Sequence, residues 1–165
     1  MSYTAAVLTI SDLGSRGQRQ DTSGPAVAAM LEGAGFAVVY TAILPDERSE
    51  ISTALRACAD TRHIDLIVTT GGTGLSPRDV TPEATLDVLD REIRAIPVAM
   101  WMEGLKVTPR AMLSRGTAGT RGSSLILNLP GAEKAARENL TAVIGALEHA
   151  MHMIAAEGHD NRTEK

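Results

Sequence analysis

Apolar residues along this chain fall into two alternating patterns, short continuous runs and longer stretches repeating every three or four positions. Ala5-Ala6-Val7-Leu8-Thr9-Ile10 is a continuous run stopping at Ser11-Asp12, which predicts a strand buried on both faces. Gly14 to Asp21 is polar and reads as a flexible connection. Asp21 to Gly24 with Pro25 predicts a helix start, with Val27, Met30, Leu31 and Ala34 on one face and Gly33 and Gly35 at the end. Phe36 to Leu44 is the second predicted strand. Pro45-Asp46-Glu47 ends it, and Asp46 is the expected N-cap of a helix burying Ile51, Ala54, Leu55 and Cys58.

The third run, Asp65-Leu66-Ile67-Val68-Thr69-Thr70, opens into Gly71-Gly72-Thr73-Gly74 and a polar turn ending in Asp79, after which Thr81 and Pro82 read as the N-cap and first residue of a helix. Leu86, Leu89 and Ile93 then form one expected helical face, and Ile96 to about Leu105 a second helical stretch in which Trp101 packs. Gly116 to Gly122 is compatible with an edge strand or a loop. Ser124 to Leu129 is a strong strand stopped by Pro130-Gly131, and from Ala132 the residues Ala136, Leu140, Val143, Leu147, Met151 and Ile154 predict a long amphipathic helix.

Strands alternating with helices predict a three-layer α/β/α sandwich around a mainly parallel sheet. The expected domain is 1–154, with 155–165 as a flexible tail. The 165 residues fit one domain that needs no disulfide, and Cys58 is the single cysteine, expected in the core. A net charge of −4 and only Tyr3, Phe36, Tyr40 and Trp101 as aromatics argue against nucleic acid as a partner. No apolar run approaches the roughly 20 residues of a membrane span, so a cytoplasmic location is expected. His149 and His152 share a helical face without a third ligand nearby, and read as surface histidines.

In an open parallel sheet, ligand groups gather beyond the carboxyl ends of the strands. Four polar strand ends would converge there: Ser11-Asp12, Asp46, Gly71 to Asp79, and Asn128 to Gly131. Glycines admit positive φ and close approach of an anion to backbone N–H groups. Such an anion beside Asp79 would be repelled unless a cation lay between them, which implies a divalent metal. The motif lacks the lysine of a P-loop, and Pro77 stands where the dinucleotide fingerprint needs a third glycine.

The string Thr70-Gly71-Gly72-Thr73-Gly74 followed by Ser76-Pro77-Arg78-Asp79-Val80-Thr81-Pro82-Glu83 closely resembles the signature of the MogA/MoaB family of molybdenum-cofactor biosynthesis, including the G domain of its two-domain enzymes. Ile10-Ser11-Asp12, Leu44-Pro45-Asp46-Glu47, Met112-Leu113-Ser114-Arg115 and Leu125 to Gly131 extend the resemblance over most of the chain. It implies a molybdopterin adenylyltransferase, which uses ATP and Mg²⁺ to adenylylate the terminal phosphate of molybdopterin and releases pyrophosphate. Asp46 and Asp79 match the family's essential aspartates and are the expected catalytic and metal-binding pair. Ser11, Asp12, Gly71, Gly72, Thr73, Gly74, Arg78, Ser114, Arg115, Asn128, Pro130 and Gly131 are the expected substrate contacts, with Arg78 or Arg115 neutralising pyrophosphate and Ser114 and Asn128 meeting the pterin or its phosphate. A homotrimer and a molybdenum-inserting partner protein are further implications. The alternatives are a non-catalytic molybdopterin-binding paralogue and, less favoured by the glycine pattern, a nicotinamide oxidoreductase.

Overall fold

The computed structural model describes residues 2–156. The chain runs through β1 (Thr4–Ile10), α1 (Asp12–Ser15), α2 (Ser23–Gly33), β2 (Ala37–Leu44), α3 (Arg48–Arg56), a π-helical turn over Ala57–Thr61, and β3 (Leu66–Thr70). It continues through α4 (Thr81–Leu86), β4 (Arg91–Glu92), α5 (Ala95–Val107), a 3₁₀ turn over Pro109–Leu113, β5 (Ala118–Arg121), β6 (Ser124–Leu129) and α6 (Glu133–Ala155).

The six strands form one sheet in the order β2-β1-β3-β6-β5-β4. β2, β1, β3 and β6 run parallel, with Ala5 beside Leu66 and Leu66 beside Leu125, while β5 and β4 add antiparallel strands. Interior parallel strands have both faces covered, which is why β1, β3 and β6 read as unbroken apolar runs. β2 lies at the edge and alternates in exposure. Successive β1 side chains serve two cores. Ala5 and Val7 pack with Leu31, Met100 and Leu140 on the side of α2, α5 and α6, whereas Ala6 and Leu8 pack with Ile51 and Leu55 on the side of α3. The three-layer expectation holds. Cys58 is buried in the second of these cores.

Three local expectations change. Leu86, Leu89 and Ile93 do not share a helix face, because α4 stops at Leu86 and the chain turns to pair with β5, Asp90 N–H donating to Thr120 O at 2.8 Å and Ile93 N–H to Ala118 O at 2.8 Å. Val80 rather than Thr81 is the N-cap residue of α4, with Thr81 and Pro82 as its first two residues. The Gly/Thr-rich stretch is β5, interior to the sheet and flanked by the short strand β4 that apolar periodicity does not reveal. Trp101 packs half-buried and donates to Ser114 O at 3.0 Å, and exposed His152 meets Tyr3 OH at 3.2 Å. α6 runs to Ala155, so the first residue of the expected 155–165 tail is still helical, and 157–165 lie outside the described residues. No helix among the described residues is long and apolar enough to cross a membrane.

The parallel core brings four strand ends to one edge. Ser11 N–H donates to Leu44 O at 2.8 Å, and Gly71 N–H donates to Leu129 O at 3.0 Å. These two bonds tie the loops after β1, β2, β3 and β6 into a rim.

Candidate active site at the carboxyl edge

A cavity of about 470 Å³ opens inside that rim. Gly71 and Gly72 form part of its wall with φ of 95° and 70°, backbone angles that residues bearing a Cβ adopt only at a cost. Space enforces the same choice. A Cβ on Gly71 would strike Ile10 O, and one on Gly72 would strike the buried Thr81 hydroxyl and stand 3.1 Å from Asp46 Oδ1. Asp46 is therefore immediately against the glycine turn.

Asp46 and Asp79, from different loops, both line the cavity. Asp46 does not cap α3, whose N-cap is Glu47 without a side-chain cap bond. Its carboxylate instead serves α1: Asp46 Oδ2 accepts the Asp12 N–H at 2.9 Å, and Asp46 N–H in return donates to Asp12 Oδ1 at 3.0 Å. The reason is the β1–β2 pairing, which sets the two strand ends side by side. Burial pushes the Asp46 carboxyl above the usual carboxylate range, the Asp12 amide bond opposes this, and the charges of Asp12 and Asp79 add to it. Asp79 Oδ2 accepts the Ser76 N–H at 2.9 Å. Each carboxylate thus has one oxygen held by backbone and a second oxygen to offer.

The other expected contacts divide. Ser11 and Gly131 line the cavity, Ser11 while capping α1 through its acceptance of Gly14 N–H at 3.0 Å. Asp12 lies outside the lining, bound to Arg78 at 3.0 Å through both carboxylate oxygens, and this guanidinium holds its carboxyl below the ordinary range. Arg78 also reaches Glu47 at 2.8 Å, so it is engaged in ion pairs at the outer surface. Arg115, Thr73, Gly74, Ser114, Asn128 and Pro130 do not line the cavity either. Asn128 is a buried strut: its amide donates to Thr69 at 2.9 Å and Thr85 at 3.0 Å, while its carbonyl accepts Thr117 N–H at 3.1 Å. Ser114 contacts Thr73 at 3.4 Å. Of the glycine loop's amides, that of Gly71 is spent on Leu129, while the Gly72 amide has no protein acceptor among the described residues.

Sequence reasoning missed a further part of the cavity wall, made by Thr9, Arg19, Asp21, Ser23 and Thr70. Asp21 gathers the Thr9 hydroxyl at 2.7 Å and Gly24 N–H at 3.0 Å, and Ser23 meets Thr70 at 3.0 Å. Its signal was the Asp21 to Gly24 helix start, which places residues just before α2 at the same edge as the other strand ends. Arg19 is the arginine of this wall, and it makes no ion pair among the described residues.

This architecture defines a class: an open α/β domain with a cavity at its carboxyl edge, where a glycine turn lies beside two carboxylates. A family model described as a probable molybdopterin binding domain matches residues 6–149. The molybdopterin adenylyltransferase of Helicobacter pylori is 42% identical over 150 residues, covering 90% of this chain and 85% of its own length. That of Escherichia coli is 40% identical over 139 residues, covering 83% of this chain and 71% of its own. The Drosophila melanogaster molybdenum cofactor synthesis protein cinnamon is 45% identical over 93% of this chain, which spans only 26% of that protein. The crystal structure of the molybdopterin biosynthesis enzyme MoaB from Thermus thermophilus superposes with a TM-score of 0.89 at 49% identity, covering 94% of this chain and 98% of that one. The chain belongs to this molybdopterin-binding family.

Proposed function

We propose that the chain is a molybdopterin adenylyltransferase. The observation carrying this is the meeting of Asp46 and Asp79 in one cavity beside the Gly71-Gly72 turn, in a domain whose relatives bear that activity in their names. A terminal phosphate oxygen of molybdopterin attacks the α-phosphorus of ATP, the bond from that phosphorus to the α–β bridging oxygen breaks, and pyrophosphate leaves with the electron pair. The nucleophile has a second pKa of about 6 and is largely dianionic near neutrality, so the protein need not supply a strong base. Its task is to bring anions together and to balance their charge.

The donor set fits Mg²⁺. Among the described residues no group of three or more His, Cys, Asp or Glu is poised to cage a metal, and Mg²⁺ ordinarily uses one or two carboxylates with phosphate oxygens and water. Asp46 and Asp79 would hold it through the oxygens that the backbone leaves available. When bound, it supplies positive charge between those carboxylates and the phosphates. Gly72 N–H offers a phosphate donor, and Arg19, rather than the occupied Arg78 and Arg115, is the side chain placed to offset phosphate charge. Ser11 and Gly131 line the same cavity.

A homotrimer, a molybdenum-inserting partner and a cytoplasmic setting belong to the same reading. The exposed apolar residues Met102 and Leu105 on α5, with Met112 and Leu113 on the following turn, support an assembly interface. A monomeric mass in light scattering at micromolar protein would remove the trimer. The activity test is pyrophosphate release from Mg-ATP that depends on added molybdopterin. Binding of molybdopterin without such release would make the chain a non-catalytic paralogue.

A further inference from the structure

We infer that Arg115 is a positioning residue for adenylyl transfer: its guanidinium straps the loop that carries Asp79 and does not meet the substrate. Arg115 sits between the 3₁₀ turn and β5, and its side chain crosses to the glycine loop. Nε donates to Gly74 O at 2.8 Å, Nη2 to Asp79 O at 2.7 Å, and Nη1 to the Glu83 carboxylate. Its backbone N–H adds a bond to Thr73 O at 2.8 Å. All three guanidinium nitrogens are thereby engaged, and they join the last glycine of the loop, Asp79 near its end, and the first turn of α4. None of this geometry leaves the group facing the cavity, which Asp79 lines and Arg115 does not.

The consequence for catalysis follows from where the bonds land. Holding Asp79 O fixes the backbone of the carboxylate residue, and holding Gly74 O fixes the chain against which that carboxylate rests, since a Cβ on Gly74 would lie 2.9 Å from Asp79 Oδ2. A reacting array displaced by about 1 Å loses on the order of 10²-fold in rate. A planar fork can satisfy three acceptors lying in different directions, whereas an ammonium presents its donors from one point. Charge alone therefore does not replace it.

That difference supplies the test, which rests on the adenylyltransferase reading. Arg115→Lys keeps the positive charge and breaks the strap. We expect kcat to fall by about tenfold or more, with KM for ATP changed by less than about twofold, because an interaction realised through Asp79 acts on the reacting step. In Asp79→Asn the added Arg115→Lys change should cost almost nothing further, since two residues working as a unit lose their effect together. Guanidinium ion added to Arg115→Ala should restore part of kcat. Glu83→Gln loosens a single arm and should lower kcat in the same direction by less, which keeps the question answerable if the residue 115 variants fold poorly. Faster amide exchange across residues 74–79 in these variants, at an unchanged thermal midpoint, is the accompanying signature.

A lysine variant with wild-type kcat, a loss expressed in KM for ATP alone, or losses that multiply in the double variant would each overturn the inference and return Arg115 to the substrate. Wild-type protein that releases no pyrophosphate would fail the functional reading instead. In that event unchanged amide exchange across residues 74–79 in Glu83→Gln would overturn the strap by itself.

Discussion

Two arginines hold the loop bearing Asp79, from opposite sides and by different physics. Arg78 leaves the loop outward and pairs with the carboxylates of Asp12 and Glu47, its side chain 52% exposed. Arg115 enters from the β5 side and binds mostly carbonyl oxygens of the loop itself. The Arg78 contacts are ion pairs in water, where solvent and salt screen the attraction and the geometry is replaceable. The Arg115 contacts are directional bonds to backbone, so the loop's path depends on them. Both were equal candidates for neutralising pyrophosphate as sequence, and in the folded protein Arg19 is the arginine that lines the cavity.

The sharpest way to break the comparison is to remove what both arginines serve. Asp79→Asn should leave folding intact and lower turnover by about 10² or more, the scale of deleting one electrostatic catalytic group. Initial rates measured beside a thermal midpoint check this, and near-normal turnover would release Asp79 from the reaction.

Asp46→Asn comes next. The asparagine oxygen can still accept the Asp12 N–H, but the negative charge is lost, so Mg²⁺-dependent turnover should drop severalfold or more. Stability should move the other way. Because burial raises the folded-state pKa of Asp46, ionising it costs stability as pH rises from the unfolded value of about 3.9 through that raised value, and at neutral pH the cost is fully present. At pH 7 the variant should therefore melt at or above the wild-type midpoint. A lower midpoint, or an unchanged rate at every Mg²⁺ concentration, would contradict this assignment.

Arg19→Gln tests the division of labour among the arginines. We expect KM for ATP to rise about tenfold with kcat largely kept, as for loss of one charge-assisted contact to phosphate. Unaltered KM would leave Arg19 as a surface residue.

The smallest effect is expected from Arg78→Gln. The Asp12 carboxyl is held low chiefly by its bonds to Arg78, so the pair's contribution is present above pH 3.9 or so and is lost as pH falls through the lowered folded value. The variant's midpoint deficit should be slight at neutral pH, shrink in about 1 M salt where the screening length is about 3 Å, and vanish in acid. A deficit that persists at high salt would mean that Arg78 stabilises the fold by more than screened ion pairs.

Much of the site was legible because it lies at strand ends. Ser11, Asp46, Gly71, Gly72, Asp79 and Gly131 each follow an apolar run in the chain, and all six line the cavity. Asn128 lies outside that cavity's lining, and a polar residue near a strand end looks the same in sequence whether it faces the crevice or the core. Here Thr69, Thr85 and Thr117 supply partners that satisfy it inside. Thr9 and Thr70 were hidden in the opposite way, as hydroxyls inside runs that read as continuous strand.

Sequence alone determined the alternation of strands and helices, the parallel centre of the sheet, and hence the edge at which ligand groups collect. Those features follow from periodicity and turn chemistry, which are local properties of the chain. Only the tertiary structure decided that Asp46 accepts the Asp12 N–H at the start of α1 instead of capping α3, that Arg115 is spent on the loop while Arg19 lines the cavity, and that Asp21 and Ser23 line it too. Each is a choice of partner between residues distant in the chain, and hydrogen-bonding groups that look equally available in sequence are allotted only once the sheet has set which ends lie together.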